Sequence, residues 1–202
     1  MRVVPNLYPA FERHEVVVHS PRHVRTYAEL VDTEIEAVAT AWEARRRTAA
    51  AEGFPYVYAM INEGRAAGAS RPHSHSQLIW LREPPPEVAR ESAAGLAEVS
   101  AHDELALGNE PVRAVVHPCG RTPYETVILG DPFDLGRALL VLRDVVRRLR
   151  AVEGPVPWNA WLHENHLELV PRLGILAGVE LGAGIYVNTV APEDAAAALR
   201  AV

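Results

Sequence analysis

Strand and helix signals recur twice in the same order along these 202 residues, and that recurrence limits the fold more than any composition figure does. Residues 14–19 (His-Glu-Val-Val-Val-His) are short and β-branched, which predicts a strand that Pro21 brings to an end. A helix is predicted next. Thr26 with Glu29 three residues on has the form of a capping box, apolar residues follow at Leu30, Ile35, Val38 and Trp42, and Gly53 stops the run. Residues 54–61 predict a second strand, 62–70 a glycine-rich loop and 73–81 a third strand. After Pro84, Pro85 and Pro86 the order returns: a helix over 87–101, strands over 112–117 and 125–129, and an amphipathic helix over 134–152. Paired strands over 158–170 turn at Glu164 and Asn165. Gly178, Gly182 and Gly184 punctuate a further strand region, and a short helix over 192–202 closes the chain. The expectation is an α+β protein of two related halves, 1–83 and 84–202, each an antiparallel sheet with a flanking helix. The halves either share a sheet or face one another.

Charge and cysteine usage narrow the function. A net charge of −6 argues against a nucleic-acid partner, which calls for a basic surplus or stripe. Arg143, Arg147, Arg148 and Arg150 are spaced as the solvated face of a helix. All 20 basic residues are arginine, so lysine nucleophiles and Schiff bases are excluded. The one cysteine, Cys119, is expected to be a small buried residue, and it leaves no internal disulfide. No stretch approaches the ~20 apolar residues of a membrane span, so a cytoplasmic protein without membrane partners is expected.

The chemistry concentrates in Pro72-His73-Ser74-His75-Ser76-Gln77. On a strand, alternation places residues 73, 75 and 77 on one face, two imidazoles and an amide about 7 Å apart per pair. The preceding loop (Asn-Glu-Gly-Arg-Ala-Ala-Gly-Ala-Ser, 62–70) supplies glycines, a hydroxyl and backbone amides, the ingredients of a phosphate cradle. An imidazole beside bound phosphate can attack phosphorus, forming a phosphoramidate that a second acceptor resolves. Gln77 can donate its amide hydrogens to a non-bridging oxygen as charge develops. The bland alternative, two half-buried strand histidines, leaves the glycine loop beside them unexplained. Arg121 reads as part of a surface turn or a phosphate support, and Trp158 and Trp161 as core.

These residues resemble the galactose-1-phosphate uridylyltransferases, a branch of the histidine-triad superfamily with the histidine-triad-like (HIT-like) α+β fold. The resemblance is carried by Val4-Pro5-Asn6-Leu7-Tyr8-Pro9, His14-Glu15-Val16, Ser20-Pro21-Arg22-His23, the run Asn62 through Gln77 with serines at 74 and 76, and His166-Leu167-Glu168-Leu169-Val170-Pro171 with Ala177-Gly178-Val179-Glu180. It implies that His75 is the nucleophile and Gln77 its phosphate partner. It further implies that Asn6, Asn62, Gly68, Ser70 and Ser74 line the nucleotide and phosphates, and that Glu180 lies on the sugar side. His23 and His73 match two zinc ligands whose cysteine partners lie upstream in the family, a region the match does not reach, so the chain is expected to be a shortened member. Glu91, His163 and His166 match a second site for zinc or iron, with Glu164 as a further oxygen donor. Surface turn residues are an equally weighted reading of the two histidines.

The resemblance implies transfer of a nucleoside monophosphate between a nucleotide-sugar such as UDP-glucose and a sugar phosphate, as in galactose metabolism, by a homodimer. Two alternatives stay open: a nucleotide-sugar or dinucleotide phosphorylase or hydrolase, and a non-catalytic nucleotide sensor. Gln77, where hydrolase branches carry histidine, favours phosphate over water as acceptor.

Overall fold

The structure is a computed structural model that describes residues 1–90, 93–108 and 110–202. Eight strands form one sheet: β1 (Arg2–Pro5), β2 (Arg13–Val18), β3 (Tyr56–Glu63), β4 (His75–Leu81), β5 (Val112–Val116), β6 (Thr126–Gly130), β7 (Trp158–Leu162) and β8 (His166–Pro171). Their spatial order is β1-β2-β4-β3-β7-β8-β6-β5, and every neighbouring pair is antiparallel. Read outward from the β3–β7 seam, each half has the same topology: two strands, a long helix, then two strands. The two related antiparallel halves expected from the pattern therefore share one sheet.

The long helices, α1 (Asp32–Ala51) and α4 (Leu135–Glu153), lie side by side on one face of that sheet. Trp42, Ile35 and Val38 of α1 meet Leu139, Leu142 and Val146 of α4 over Ile61, Leu78, Trp158 and Leu169, all of them buried. Full burial of side chains of this size is worth roughly 1.5–3 kcal/mol each, which makes this layer the main source of stability. Two short helices follow β4, α2 (Pro86–Arg90) and α3 (Ala93–Ser100), where one helix over 87–101 is expected. Two more, α5 (Gly178–Ala183) and α6 (Pro192–Arg200), follow β8.

Four expectations are corrected. The first long helix starts at Asp32, not just after Thr26, because the Thr26 cap is spent on a single 3-10 turn, Tyr27–Glu29. Its hydroxyl accepts from Ala28 N and donates to Glu63 at 2.6 Å, and Leu30 then runs extended into the core. The region around Gly178 is helical rather than a strand. The Glu180 carboxylate accepts from Ala177 N at 2.8 Å, and Gly184 ends the turn at φ +67°. Arg143 is buried instead of solvated: it bonds Leu30 O and pairs with Asp32, pinning the start of α1 to α4. Cys119 is exposed, not buried. Among the described residues no helix is long and apolar enough to cross a membrane.

Gly64, where β3 leaves the sheet, sits at φ +85°, and an added Cβ would lie 2.8 Å from Pro157 Cβ. Both the left-handed backbone and the close approach need a residue without a side chain. Gly64→Ala is expected to lower unfolding free energy by about 1–3 kcal/mol in urea titration; an unchanged midpoint would show that the loop yields without strain.

Candidate active site

β4 alternates between two environments. Ser76, Leu78 and Trp80 face the helix layer, where Ser76 Oγ accepts from the buried Trp42 Nε1 at 3.0 Å. His75, Gln77 and Ile79 therefore face the other side. Across the sheet, His75 is opposite Val18, Gln77 opposite Val16 and Met60, and Ile79 opposite His14. β4 begins at His75, so His73 does not share the row predicted for 73, 75 and 77. Instead the His73 ring turns to Arg22 O at 3.0 Å.

His75 Nδ1 donates to His73 O at 2.7 Å, which leaves the lone pair of the neutral ring on Nε2. Among the described residues Nε2 has no hydrogen-bond partner. The ring stands where two cavities meet. One, of about 340 Å³, is lined by Val4, Pro5, Leu7, Tyr8, Val16 and Val18 together with Asn6 and Gln77, an apolar pocket with polar groups at one end. The other, of about 740 Å³, lies between the glycine-rich loop and the end of α4, and Asn62, Ser70 and Ser74 are among its walls. Both contain His73, His75, Ser70 and Arg71.

Gln77 is oriented by a residue that the sequence reading passed over. His14 accepts from Ala10 N at Nδ1 (3.3 Å), so its Nε2–H is the donor to Gln77 Oε1 at 2.7 Å. With its oxygen engaged, the Gln77 amide presents its NH2 group to the cavity. Asn6 also lies against the His14 ring, its Nδ2 donating to the acceptor nitrogen Nδ1 at 3.4 Å, and it lines the apolar pocket as expected of a nucleoside contact. Asn159 was equally unforeseen. It donates to Asn62 Oδ1 and Ala67 O, each at 2.8 Å, and so ties the glycine-rich loop to β7. Gly68 closes that loop at φ +86°.

Ser74, expected beside phosphate, turns its hydroxyl inward to His19 Nδ1 at 2.9 Å. His19 N in turn donates to Ser74 O, and Ser74 N to Val24 O. His19 is fully buried, and burial, helped by the nearby His75 and His73, lowers its pKa to about 3. Its Nε2 has no partner, so protonation would place a bare charge in the core.

The metal candidates separate. His23 and His73 stack edge to face with centroids 6.1 Å apart, but among the described residues no third donor joins them. Glu91 lies outside the described residues. His163 and His166 are buried, not surface turn residues, and with Glu168 they form a set whose donor atoms all lie within 4.8 Å of one another. The third donor is Glu168 rather than Glu164; strand alternation from His166 gives that face, a signal present in the sequence. Two imidazoles and a carboxylate suit zinc or ferrous iron. Arg121 holds the other Glu168 oxygen at 2.9 Å and also pairs with the buried Glu125, so it is part of this network rather than of a plain turn. Burial alone would raise the Glu168 carboxyl, but His166 and Arg121 outweigh it and hold its pKa at about 2. Burial lowers His163 to about 4. Glu180 lines a separate cavity of about 110 Å³ with Arg121 and Ile175 and is not brought to His75 within this chain. Trp158 is core, as expected, whereas Trp161 lies half-buried on the open face with Nε1 unpartnered.

An eight-stranded antiparallel sheet carrying His75-x-Gln77 on its open face defines a HIT-like α+β protein. Residues 9–85 match the family model for the galactose-1-phosphate uridyl transferase N-terminal domain. The ADP-glucose phosphorylase of Arabidopsis thaliana is 27% identical over 264 aligned positions, taking in 100% of this chain and 74% of the relative. Among solved structures, that phosphorylase with bound ADP-glucose superposes with a TM-score of 0.88 at 24% identity, covering 100% of this chain and 82% of that one. A structure described as uridylyltransferase gives 0.90 at 23%, covering 99% and 83%. Over residues 9–85, and in its fold as a whole, the chain is similar to galactose-1-phosphate uridylyltransferase-like proteins.

The buried His19 carries a stability prediction. The unfolded imidazole titrates near 6.5 and the folded one near 3, so between these values the unfolded state binds the proton that the folded state refuses. Stability is expected to fall as pH drops from about 6.5, with a slope from this group of up to about 1.4 kcal/mol per pH unit. His163, lowered for the same reason, adds to it. Urea midpoints from pH 7 to 5 should show a smaller slope in His19→Asn than in the parent; equal slopes would contradict the assignment.

Proposed function

We propose that this chain is a nucleotidyl-transfer enzyme in which His75 takes a nucleoside monophosphate from a nucleotide-sugar and passes it to a phosphate acceptor. The observation that carries this reading is the His75 ring at the junction of an apolar pocket and a polar cavity, with Nδ1 engaged on His73 O and Nε2 open. The base fits the pocket lined by Val4, Leu7, Tyr8 and Val18, and the α-phosphate then lies before Nε2. Attack there forms a P–N bond and breaks the P–O bond to the leaving phosphate, which departs with the electron pair. The acceptor oxygen reverses these changes and returns the pair to Nε2. Gln77 donates from its NH2 group to the non-bridging oxygens, its oxygen being held by His14, and Asn62 and Ser70 receive the phosphates.

Inorganic phosphate is the acceptor we favour over a hexose 1-phosphate. The relative that matches this chain throughout is an ADP-glucose phosphorylase, and Gln77 at the motif's end agrees with transfer to phosphate. The uridylyltransferase reading shares every step except the acceptor.

Incubation with ADP-glucose or UDP-glucose labelled in the α-phosphate is expected to label the chain at His75. His75→Asn should abolish labelling, and Gln77→Ala should slow it about 10²-fold. Full labelling of His75→Asn would dismiss the mechanism, and stabilisation by either nucleotide-sugar without labelling or product would favour a sensor.

Zinc or ferrous iron at His163, His166 and Glu168 would pin the β7–β8 turn and neutralise the Glu168 charge, a structural service remote from the transfer steps. Titrating metal-stripped protein with Zn²⁺ is expected to raise its unfolding temperature. Glu168→Gln should remove the increment; an increment that survives in this variant would place the metal elsewhere.

A further inference from the structure

The larger cavity beside His75 carries a charge pattern that transfer to a single phosphate does not require. Arg25, Arg65, Arg71 and Arg150 all line it, from three separate places in the chain. Several arginines elsewhere are set against carboxylates, Arg13 with Glu52, Arg22 with Glu34, Arg45 with Glu15, Arg82 with Glu12 and Arg121 with Glu125, while others such as Arg137 stand exposed on the surface. Among the described residues none of the four cavity arginines forms an ion pair, although Arg150 and Glu63 attract one another at longer range; Arg25 reaches only His23 Nε2, at 3.4 Å. Two acidic residues share the cavity wall. Glu29 is exposed, while Glu63 is turned to Thr26 Oγ1, Tyr27 N and Trp158 Nε1 at 2.6, 2.6 and 3.1 Å. Burial also raises the Glu63 pKa, which weakens it further as a counter-ion. The result is an arginine-rich chamber of about 740 Å³, large enough for a ligand well beyond one phosphate.

We propose that this chamber is a subsite for a linear chain of two or more phosphates, joined to the nucleotidyl group at His75 before or after transfer. Planar guanidinium forks bind phosphate oxygens in pairs and stay charged at every working pH, so four around one space suit an extended polyanion. A hexose 1-phosphate in the same space would bring a single phosphate to four guanidinium groups. The proposal rests on the transfer reading above and extends it to the ligand on the far side of the reacting phosphorus. In the donor direction, His75 Nε2 bonds to the α-phosphorus while the bond to the β-bridging oxygen breaks, the polyphosphate leaving with that electron pair. In the acceptor direction a terminal oxygen of the polyphosphate attacks the same phosphorus, and the P–N pair returns to the ring.

The test is calorimetric titration of the full chain with orthophosphate, pyrophosphate and tripolyphosphate at two salt concentrations. Tripolyphosphate is expected to bind at least about tenfold tighter than orthophosphate, with an affinity that falls steeply as salt rises. Arg65→Gln and Arg150→Gln should each weaken it by roughly tenfold with unchanged melting temperature, whereas Arg137→Gln, exposed on α4 away from the cavity, should leave it intact. Equal affinity for tripolyphosphate and orthophosphate, or parental affinity in both cavity variants, overturns the subsite. Labelling of His75 by nucleotide-sugar is measured on the same samples. Labelling without any tripolyphosphate preference defeats the subsite alone, and preference without labelling defeats the transfer reading alone. Discharge of labelled His75 by free tripolyphosphate identifies an acceptor, and labelling by a dinucleoside tetraphosphate a donor.

Discussion

Everything at the site depends on how β4 is held from behind. The Trp42 indole of α1 donates to Ser76 Oγ in the middle of the helix-facing layer, and Leu78 and Trp80 continue that face into the core. A one-residue slip would bury His75 and Gln77 and expose the apolar set, so the burial of Leu78 and Trp80 fixes the register that presents the imidazole. Its neighbours convert register into ring orientation. Val24 O, His19 and Ser74 fasten the chain just before the strand, and His73 O takes the Nδ1 proton. Hydrophobic packing thus determines which nitrogen faces the cavity.

The shared topology of the two halves relates the site to the metal-competent cluster. β8 occupies in the second half the place β4 occupies in the first, and both begin with a histidine: His75-Ser76-Gln77 in one, His166-Leu167-Glu168 in the other. Gln77 lies opposite Met60 as Glu168 lies opposite Trp161, which makes Asn62 and His163 counterparts as well. One frame therefore carries two polar triads on the same face. In the first, amides and an open imidazole surround a cavity; in the second, a carboxylate backed by Arg121 draws two imidazoles together. The side chains, not the backbone, separate the open imidazole and its amides from the cluster of two imidazoles and a carboxylate.

Much of this was legible in the residues. The recurrence of strand and helix patterns gave both halves of the sheet, and alternation along residues 75–77 put His75 and Gln77 on one face, though not His73 with them. What escaped reading were the partners that only the sheet brings together. His14, 63 positions from Gln77, and Asn159, 97 positions from Asn62, are ordinary polar strand residues until strand order makes them neighbours. The start of α1 was misplaced because Glu63, far along the chain, competes for the Thr26 hydroxyl. Arg143 looked solvated because helical spacing cannot reveal that Leu30 O and Asp32 wait across the α1–α4 contact. Glu168, by contrast, was within reach of simple alternation from His166.

The claim on which the mechanism stands is that Nδ1 of residue 75 is occupied and Nε2 is the reacting atom. Phosphorus–nitrogen coupling in the NMR spectrum of ¹⁵N-histidine protein charged with a nucleotide-sugar distinguishes the two nitrogens directly. The account predicts a single phosphoramidate on His75 Nε2. An adduct on Nδ1, or on any other residue, would contradict it.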